Sequence, residues 1–256
     1  MPFTLSKWYV DVVTGDGRVA LAYWAEVRAG GAHYAVCGLQ RAGAGTPSST
    51  FSLRAAHGPR MVGDRLLWRA PSLALDASLL RLQPDVSRRL LDSPEGAVDW
   101  TAWAPAADVR LTIGDEVLAG EGYAERLDLT IVPWAIPLRT LHWGRWIGGS
   151  RSAIWIVWEG EHPLRLAWLD GVPLADPQVG GEGVSLGDAG HLAFGERTTI
   201  TDASVGEQLT SLTSLSALID RVAHSHQTRW LSRGSLTVPG APALAGWTIR
   251  EVVRWG

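Results

Sequence analysis

Residues 122–132 read GYAERLDLTIV, and their apolar positions recur every second residue. In an extended chain successive side chains point to opposite faces. Tyr123, Glu125, Leu127, Leu129 and Ile131 therefore share one face, with Ala124, Arg126, Asp128, Thr130 and Val132 on the other. The first face is the apolar one, and it carries a carboxylate, Glu125. The segment GWTIREVVRW at 246–255 repeats the pattern. There Trp247, Ile249, Glu251, Val253 and Trp255 share a face, opposite Thr248, Arg250, Val252 and Arg254. Two strands thus each point a glutamate toward an apolar interior.

Working outward, the period of two persists. KWYVDVV, TGDG and RVALAYWAEV predict a β-hairpin turning at Asp16-Gly17. DVRLTI, GDE and VLAGEGYAERLDLTIV predict a second, and SAIWIVWEG and HPLRLAWLDG two further strands. With 29 Gly and 14 Pro punctuating at short intervals, the pattern is that of an antiparallel sandwich or barrel. Helical spacing is confined to PDVSRRLLDS, starting at Pro84, and to SLSALIDRVAHS at 214–225. The long alternating strands at 117–132 and 246–255 each close a strand series. We therefore expect two stacked β-units, 1–132 and 133–256, with a seam somewhere in 120–150.

Composition narrows the function classes. The chain has 256 residues, ample for a core without staples. Hydrophobic residues make up 46% and charged residues 19%, which excludes disorder. A net charge of −3 argues against a nucleic-acid or anionic-membrane partner. No apolar run reaches membrane-spanning length and no secretory signal is visible, so a cytoplasmic location is expected. Cys37 is the single cysteine, read as a small buried hydrophobe, which leaves no intramolecular disulfide. Two counts are unusual: 14 Trp, and one lysine, Lys7, among 23 basic residues. Codon bias explains the second; the indoles fit either a core or an apolar ligand cavity.

Several segments resemble a known group when taken together. They are KWYVDVVTGDG at 7–17, DSPEGAVDWTAWAPAADVRL at 92–111, GEGYAERLDLTIVPWAIPLRTLHWGRW at 120–146, and TRWLSRGSL with GWTIREVVRW near the end. The chain resembles the carotenoid 1,2-hydratase (hydroxyneurosporene synthase) group and its lipocalin-like relatives, a superfamily that includes tocopherol cyclase and fungal decalin-forming Diels–Alderases. The resemblance covers most of the chain and is most specific at G-x-G-Y-x-E, P-W-x-x-P and W-G-R. It implies an all-β fold of two lipocalin-like (calycin) barrels or curved sandwiches holding an apolar small molecule. It also implies hydration or cyclisation of polyene or isoprenoid substrates without a cofactor. The chain departs from the group in being shorter, and in having Trp103 where relatives show cysteine.

The phase argument supplies the site. A carboxylate on an interior face either finds a cation or stays protonated, because burial disfavours its charged form. A protonated glutamate in an apolar pocket is a general acid at neutral pH. Glu125 is the expected proton donor, with Tyr123, about 7 Å away along the same face, orienting it. Trp100, Trp134 and Trp143 are candidates to face a developing cation. His142 is a further acid or base candidate, and Arg145 and Glu251 complete the expected ligand-binding set. The alternative is a structural role, with Arg145 and Arg229 as the candidate partners of the two glutamates. Asp11, on the face of Lys7 and Tyr9, reads as a satisfied edge residue. His224 and His226 are spaced for a metal but lack a third ligand, so no metal is expected. Three classes therefore stand: an acid-catalysed hydratase or cyclase, a lipocalin-like carrier, and a sugar-binding sandwich. The interior carboxylate favours the first, since a carrier of neutral apolar ligands gains nothing from burying one.

Overall fold

The first predicted hairpin is present: β1 (Thr4–Val13) pairs antiparallel with β2 (Val19–Ala29). The structure is a computed structural model and describes residues 3–43, 47–53, 57–204, 207 and 225–255. The first sheet continues with β3 (Ala32–Ala42), β4 (Ser48–Ser52), β5 (Arg60–Val62), β6 (Arg65–Ala70) and β7 (Leu75–Arg81). It is completed by β8 (Val86–Ser93), β9 (Gly96–Ile113) and β10 (Glu116–Leu129). Its order is β4-β3-β2-β1-β10-β9-β7-β6-β5, with β8 on β9.

A short 3-10 turn at Pro133–Ala135 leads into the second sheet. This sheet is built from β11 (Leu138–Gly148), β12 (Arg151–Gly160), β13 (Leu164–Leu169), β14 (Val172–Leu174) and β15 (Gln178–Val179). β16 (Gly183–Ser185), β17 (His191–Ser204), β18 (His226–Thr237) and β19 (Leu244–Arg254) follow, in the order β14-β13-β12-β11-β19-β18-β17-β16-β15. Both sheets are curled and antiparallel, so the fold is the all-β, two-half lipocalin-like one expected.

One predicted helix is a strand. Residues 86–93 form β8, because β9 is long enough to hydrogen-bond two partners along one edge. Ala107–Ile113 pairs with β7, and Gly96–Ala102 would be an open edge if β8 did not cover it. Pairing satisfies backbone groups on both strands, and it outweighs a short helical pattern that begins at a proline. The turn into β9 needs Gly96: its φ is 136°, and a Cβ there would lie 2.7 Å from the Thr130 carbonyl oxygen. The second predicted helix, 214–225, falls almost entirely outside the described residues.

The central strands bury both faces over part of their length, as β1 does at Trp8–Val13 and β12 at Ser152–Trp158. In β1, Trp8, Val10 and Val12 pack with Leu66, Trp68 and Leu111 inside the curl of the first sheet. Trp146, Trp155, Leu192 and Leu236 fill the second sheet in the same way. Between the sheets lies a third core, where Tyr9, Val13 and Tyr123 meet Trp143, Ile156 and Ile249. An ion pair crosses it. Arg145 on β11 binds Asp11 on β1 through Nη2 to Oδ1 (2.5 Å) and Nε to Oδ2 (3.2 Å), and both side chains are wholly buried. The Tyr9 hydroxyl donates to the same carboxylate (2.8 Å), and Arg145 Nη1 donates to the Trp247 carbonyl (2.9 Å). Asp11 is therefore a central residue and not an edge one.

Candidate functional site

A cavity of about 240 Å³ opens in the inter-sheet core. The sequence reading placed the ligand inside a barrel. Each curl holds a hydrophobic core of its own, and this space lies where the two sheets face each other. Its walls are mainly aliphatic and aromatic: Leu127 and Leu129 from β10, Leu138 and Leu141 from β11, Ile156 and Trp158 from β12. Four ionisable groups interrupt them: Lys7 on β1, Glu125 on β10, Arg229 on β18 and Glu251 on β19. Both inward glutamates thus reach one space, from opposite sheets.

Local backbone geometry aims Glu125. β1 and β10 run in continuous register, with Tyr9 opposite Glu125 and Asp11 opposite Tyr123. On its other side β10 meets β9 with register shifts between Gly122 and Glu125. A bulge of this kind adds twist and re-aims a side chain. Pro105 sits in the irregular stretch of β9, where a missing N–H costs no ladder bond. Gly122 lets β1 approach: a Cβ there would lie 2.0 Å from the Asp11 carbonyl oxygen.

Three donors converge on one oxygen of Glu125. Trp100 Nε1 donates to Oε2 at 2.6 Å, the Tyr123 hydroxyl at 2.8 Å and Trp143 Nε1 at 3.2 Å. None of the three reaches Oε1. Burial pushes the Glu125 carboxyl above its ordinary range. The hydrogen bonds from Trp100 and Tyr123 and the charge of Lys7 oppose the rise without cancelling it, and Glu251 adds to it. With Oε2 surrounded by donors, a proton on this carboxyl belongs on Oε1.

Glu251 is arranged differently. Arg229 stands directly opposite it in the β18–β19 ladder and binds Oε2 through Nη2. Gln227 Nε2 donates to Oε1 at 2.7 Å. Burial works to raise this carboxyl as well, but it is outweighed by Arg229, Lys7 and Gln227, and the group is held below the ordinary range. Arg229 also reaches the first sheet, through the Tyr23 hydroxyl and Gln40 Oε1 (2.9 Å). Two carboxyls pushed in opposite directions at one site are what paired acid and base work requires.

The remaining predicted residues divide between the cavity and its surroundings. Trp100 and Trp143 line it; Trp100 stacks on Trp168 (centroids 5.0 Å apart), and Trp143 meets Tyr9 and Tyr123 edge-on. Trp134 is half-buried on the 3-10 turn, whose flanking Pro133 and Ile136 are the ones in the wall. His142 alternates out of phase with Leu141 and Trp143, so it faces away from the cavity and lies 3.6 Å from Glu159. Burial lowers its imidazole pKa. Arg145 is sequestered by Asp11 and does not line the cavity. Trp103 packs in the first sheet's own core. Cys37 is buried, and burial raises its thiol pKa. His226 is exposed, 3.6 Å from Asp202, and His224 lies outside the described residues. Among the described residues no cluster of His, Cys, Asp and Glu is suited to a metal.

Lys7, Tyr9, Trp158 and Trp255 also line the cavity, and none was singled out for it from sequence. The phase rule applied to KWYVDVV would have put Lys7 and Tyr9 there, since they share the face of the inward Asp11.

No family model matches the sequence, and no curated protein does. Solved structures do. CghA superposes with a TM-score of 0.57 at 12% identity, over 100% of this chain and 89% of that one. CghA with Sch210972 gives 0.54 at 12% identity over the same shares. Kievitone hydratase from Nectria haematococca gives 0.57 at 9% identity, over 99% of this chain and 89% of that one. At these identities the likeness shows a shared fold.

Proposed function

We propose that the protein is a cofactor-independent hydratase or cyclase for an apolar, isoprenoid- or polyene-like small molecule, with Glu125 as proton donor in the inter-sheet cavity. One observation carries the reading. A glutamate in an apolar wall is held by three donors on a single oxygen and, among the described residues, has no ion pair. Its other oxygen is left to deliver a proton. Kievitone hydratase, named for a hydration, shares the fold across nearly the whole chain, which supports the class.

In this mechanism Oε1–H of Glu125 protonates a ligand alkene, and its bonding pair stays on the carboxylate. The three donors on Oε2 then stabilise the new negative charge without moving. The carbocation lies among indole faces, of which Trp143, Trp158 and Trp255 are in the wall. Water addition followed by proton loss to Glu125 gives hydration. Attack by a second alkene followed by the same proton loss gives cyclisation. Both regenerate the acid.

The test is solvent isotope incorporation. Prenylated and polyene compounds are incubated with the protein in heavy water and the products are read by mass spectrometry. One carbon-bound deuterium per turnover, abolished in Glu125→Gln, supports the mechanism. A compound that binds tightly and is recovered unchanged and without deuterium marks the protein as a carrier.

A further inference from the structure

The single lysine of the chain lines this cavity, on the face of β1 that it shares with Tyr9 and Asp11. Lys7 also lines a second cavity, of about 290 Å³, which shares Leu5 with the first and continues along β2 and β3 past Tyr23 and Cys37. Its side chain therefore borders both spaces. Among the described residues it has neither an ion pair nor a hydrogen bond, and Nζ lies 5.2 Å from the centroid of the Tyr23 ring. The two carboxyls near it are otherwise engaged: Glu251 by Arg229 and Gln227, Glu125 by three neutral donors. An unpaired ammonium in such a wall is costly, which shifts the balance toward the neutral amine relative to an exposed lysine. Burial lowers the Lys7 pKa, Arg229 adds to that, and Glu251 and Glu125 oppose it. A neutral amine is a nucleophile, which a guanidinium cannot be.

We propose that Lys7 Nζ captures the carbonyl group of an apolar aldehyde or ketone as a Schiff base, so that the ligand class is a carbonyl-bearing, otherwise hydrophobic molecule. The proposal rests on the reading of the cavity as a ligand site. The Nζ lone pair attacks the carbonyl carbon and the C=O pair moves to oxygen. Transfer of a proton from nitrogen to that oxygen gives a neutral carbinolamine. Glu125, diagonal to Lys7 on the neighbouring strand, with Leu127 directly opposite Lys7, protonates the hydroxyl. Water leaves, the nitrogen lone pair forms C=N, and the iminium N–H proton returns to the Glu125 carboxylate. The sum is amine plus carbonyl to imine plus water.

Geranial and geraniol share a carbon skeleton and differ in carrying an aldehyde or an alcohol, which makes them the probes. The full chain is incubated with each at pH 7, indole fluorescence reports occupancy, and cyanoborohydride reduces any iminium to a stable secondary amine for peptide mapping. The expected result is that both quench, and that geranial labels Lys7 faster than the chain's α-amine by on the order of tenfold or more, as capture at a bound site predicts. Lys7→Arg is expected to lose that label while geraniol still quenches. Quenching by both probes with label on the α-amine alone overturns the Schiff base and leaves the cavity reading standing. Quenching by neither overturns both. The wild-type labelling pattern decides the matter even if the variant does not fold.

Discussion

Replacing each inward glutamate by glutamine separates their roles without assuming a substrate. Glutamine at 125 keeps a carbonyl oxygen for the donors of Trp100, Tyr123 and Trp143, and puts a neutral amide where burial raises the carboxyl pKa. At 251 the same change removes the anion facing Arg229, whose side chain is 2% exposed. Removing one partner of a buried pair costs about 3–5 kcal/mol. At the ~2 °C per kcal/mol expected for a domain of this size, Glu251→Gln should melt about 6–10 °C low at neutral pH. Glu125→Gln should melt within about 2 °C of wild type near pH 4, where acid and amide are both neutral. The pH dependences then run oppositely. Glu125 has a raised folded pKa, so wild type loses stability as pH climbs above the ordinary carboxyl range, and the glutamine variant gains on it. Glu251 has a lowered folded pKa, so its contribution is complete above the ordinary range and is lost as pH falls through the folded value. Differential scanning calorimetry of the three proteins from pH 4 to pH 8 reads both trends. If Glu125→Gln is as destabilising as Glu251→Gln at neutral pH, Glu125 is a charged structural partner and the acid assignment is refuted.

Three other outcomes follow from the geometry. Asp11→Asn leaves the Arg145 guanidinium buried without its anion and should cost about 3–5 kcal/mol in urea unfolding; a loss below about 1 kcal/mol would mean the inter-sheet pair is not what joins the sheets. Tyr123→Phe removes a donor that favours ionised Glu125, so the Glu125 carboxyl resonance should titrate at higher pH by NMR, with a stability cost of about 0.5–1.5 kcal/mol. Gly96→Ala forces a side chain into a φ of 136° against the Thr130 backbone and should lower stability by more than about 1 kcal/mol in thermal melts.

Strand phase made the fold class legible, because a period of two is a local property that survives into the tertiary structure. It also put Glu125 and Glu251 on interior faces, since register in β10 and β19 leaves their alternation intact. Phase failed where its local premise failed. Residues 86–93 look helical because the open edge of β9 that recruits them is specified by residues 96–102 and not by the segment itself. Phase also cannot say which of two interiors a face meets. Trp8 and Tyr9 are equally buried neighbours, yet one enters the first sheet's curl and the other the inter-sheet core. The cavity's position between the sheets was hidden for that reason. Trp134 lies on a turn, where alternation carries no information.

The inter-sheet core holds six groups whose charges must be reconciled: Asp11, Arg145, Glu251, Arg229, Glu125 and Lys7. Sequence leaves the pairing undetermined, because either arginine could serve any of the acids. Topology resolves it. Arg229 stands opposite Glu251 in the ladder, and Arg145 projects from β11 across to Asp11. Those two pairs use both arginines. Among the described residues, the carboxyl of Glu125 and the amine of Lys7 remain in the cavity wall without an ion pair. Burial then drives each toward its neutral form, against their mutual attraction. The proposed chemistry draws on both shifts: a carboxyl that holds its proton more firmly than an exposed one, and an amine that gives its proton up more readily, where a salt bridge between the two would oppose both.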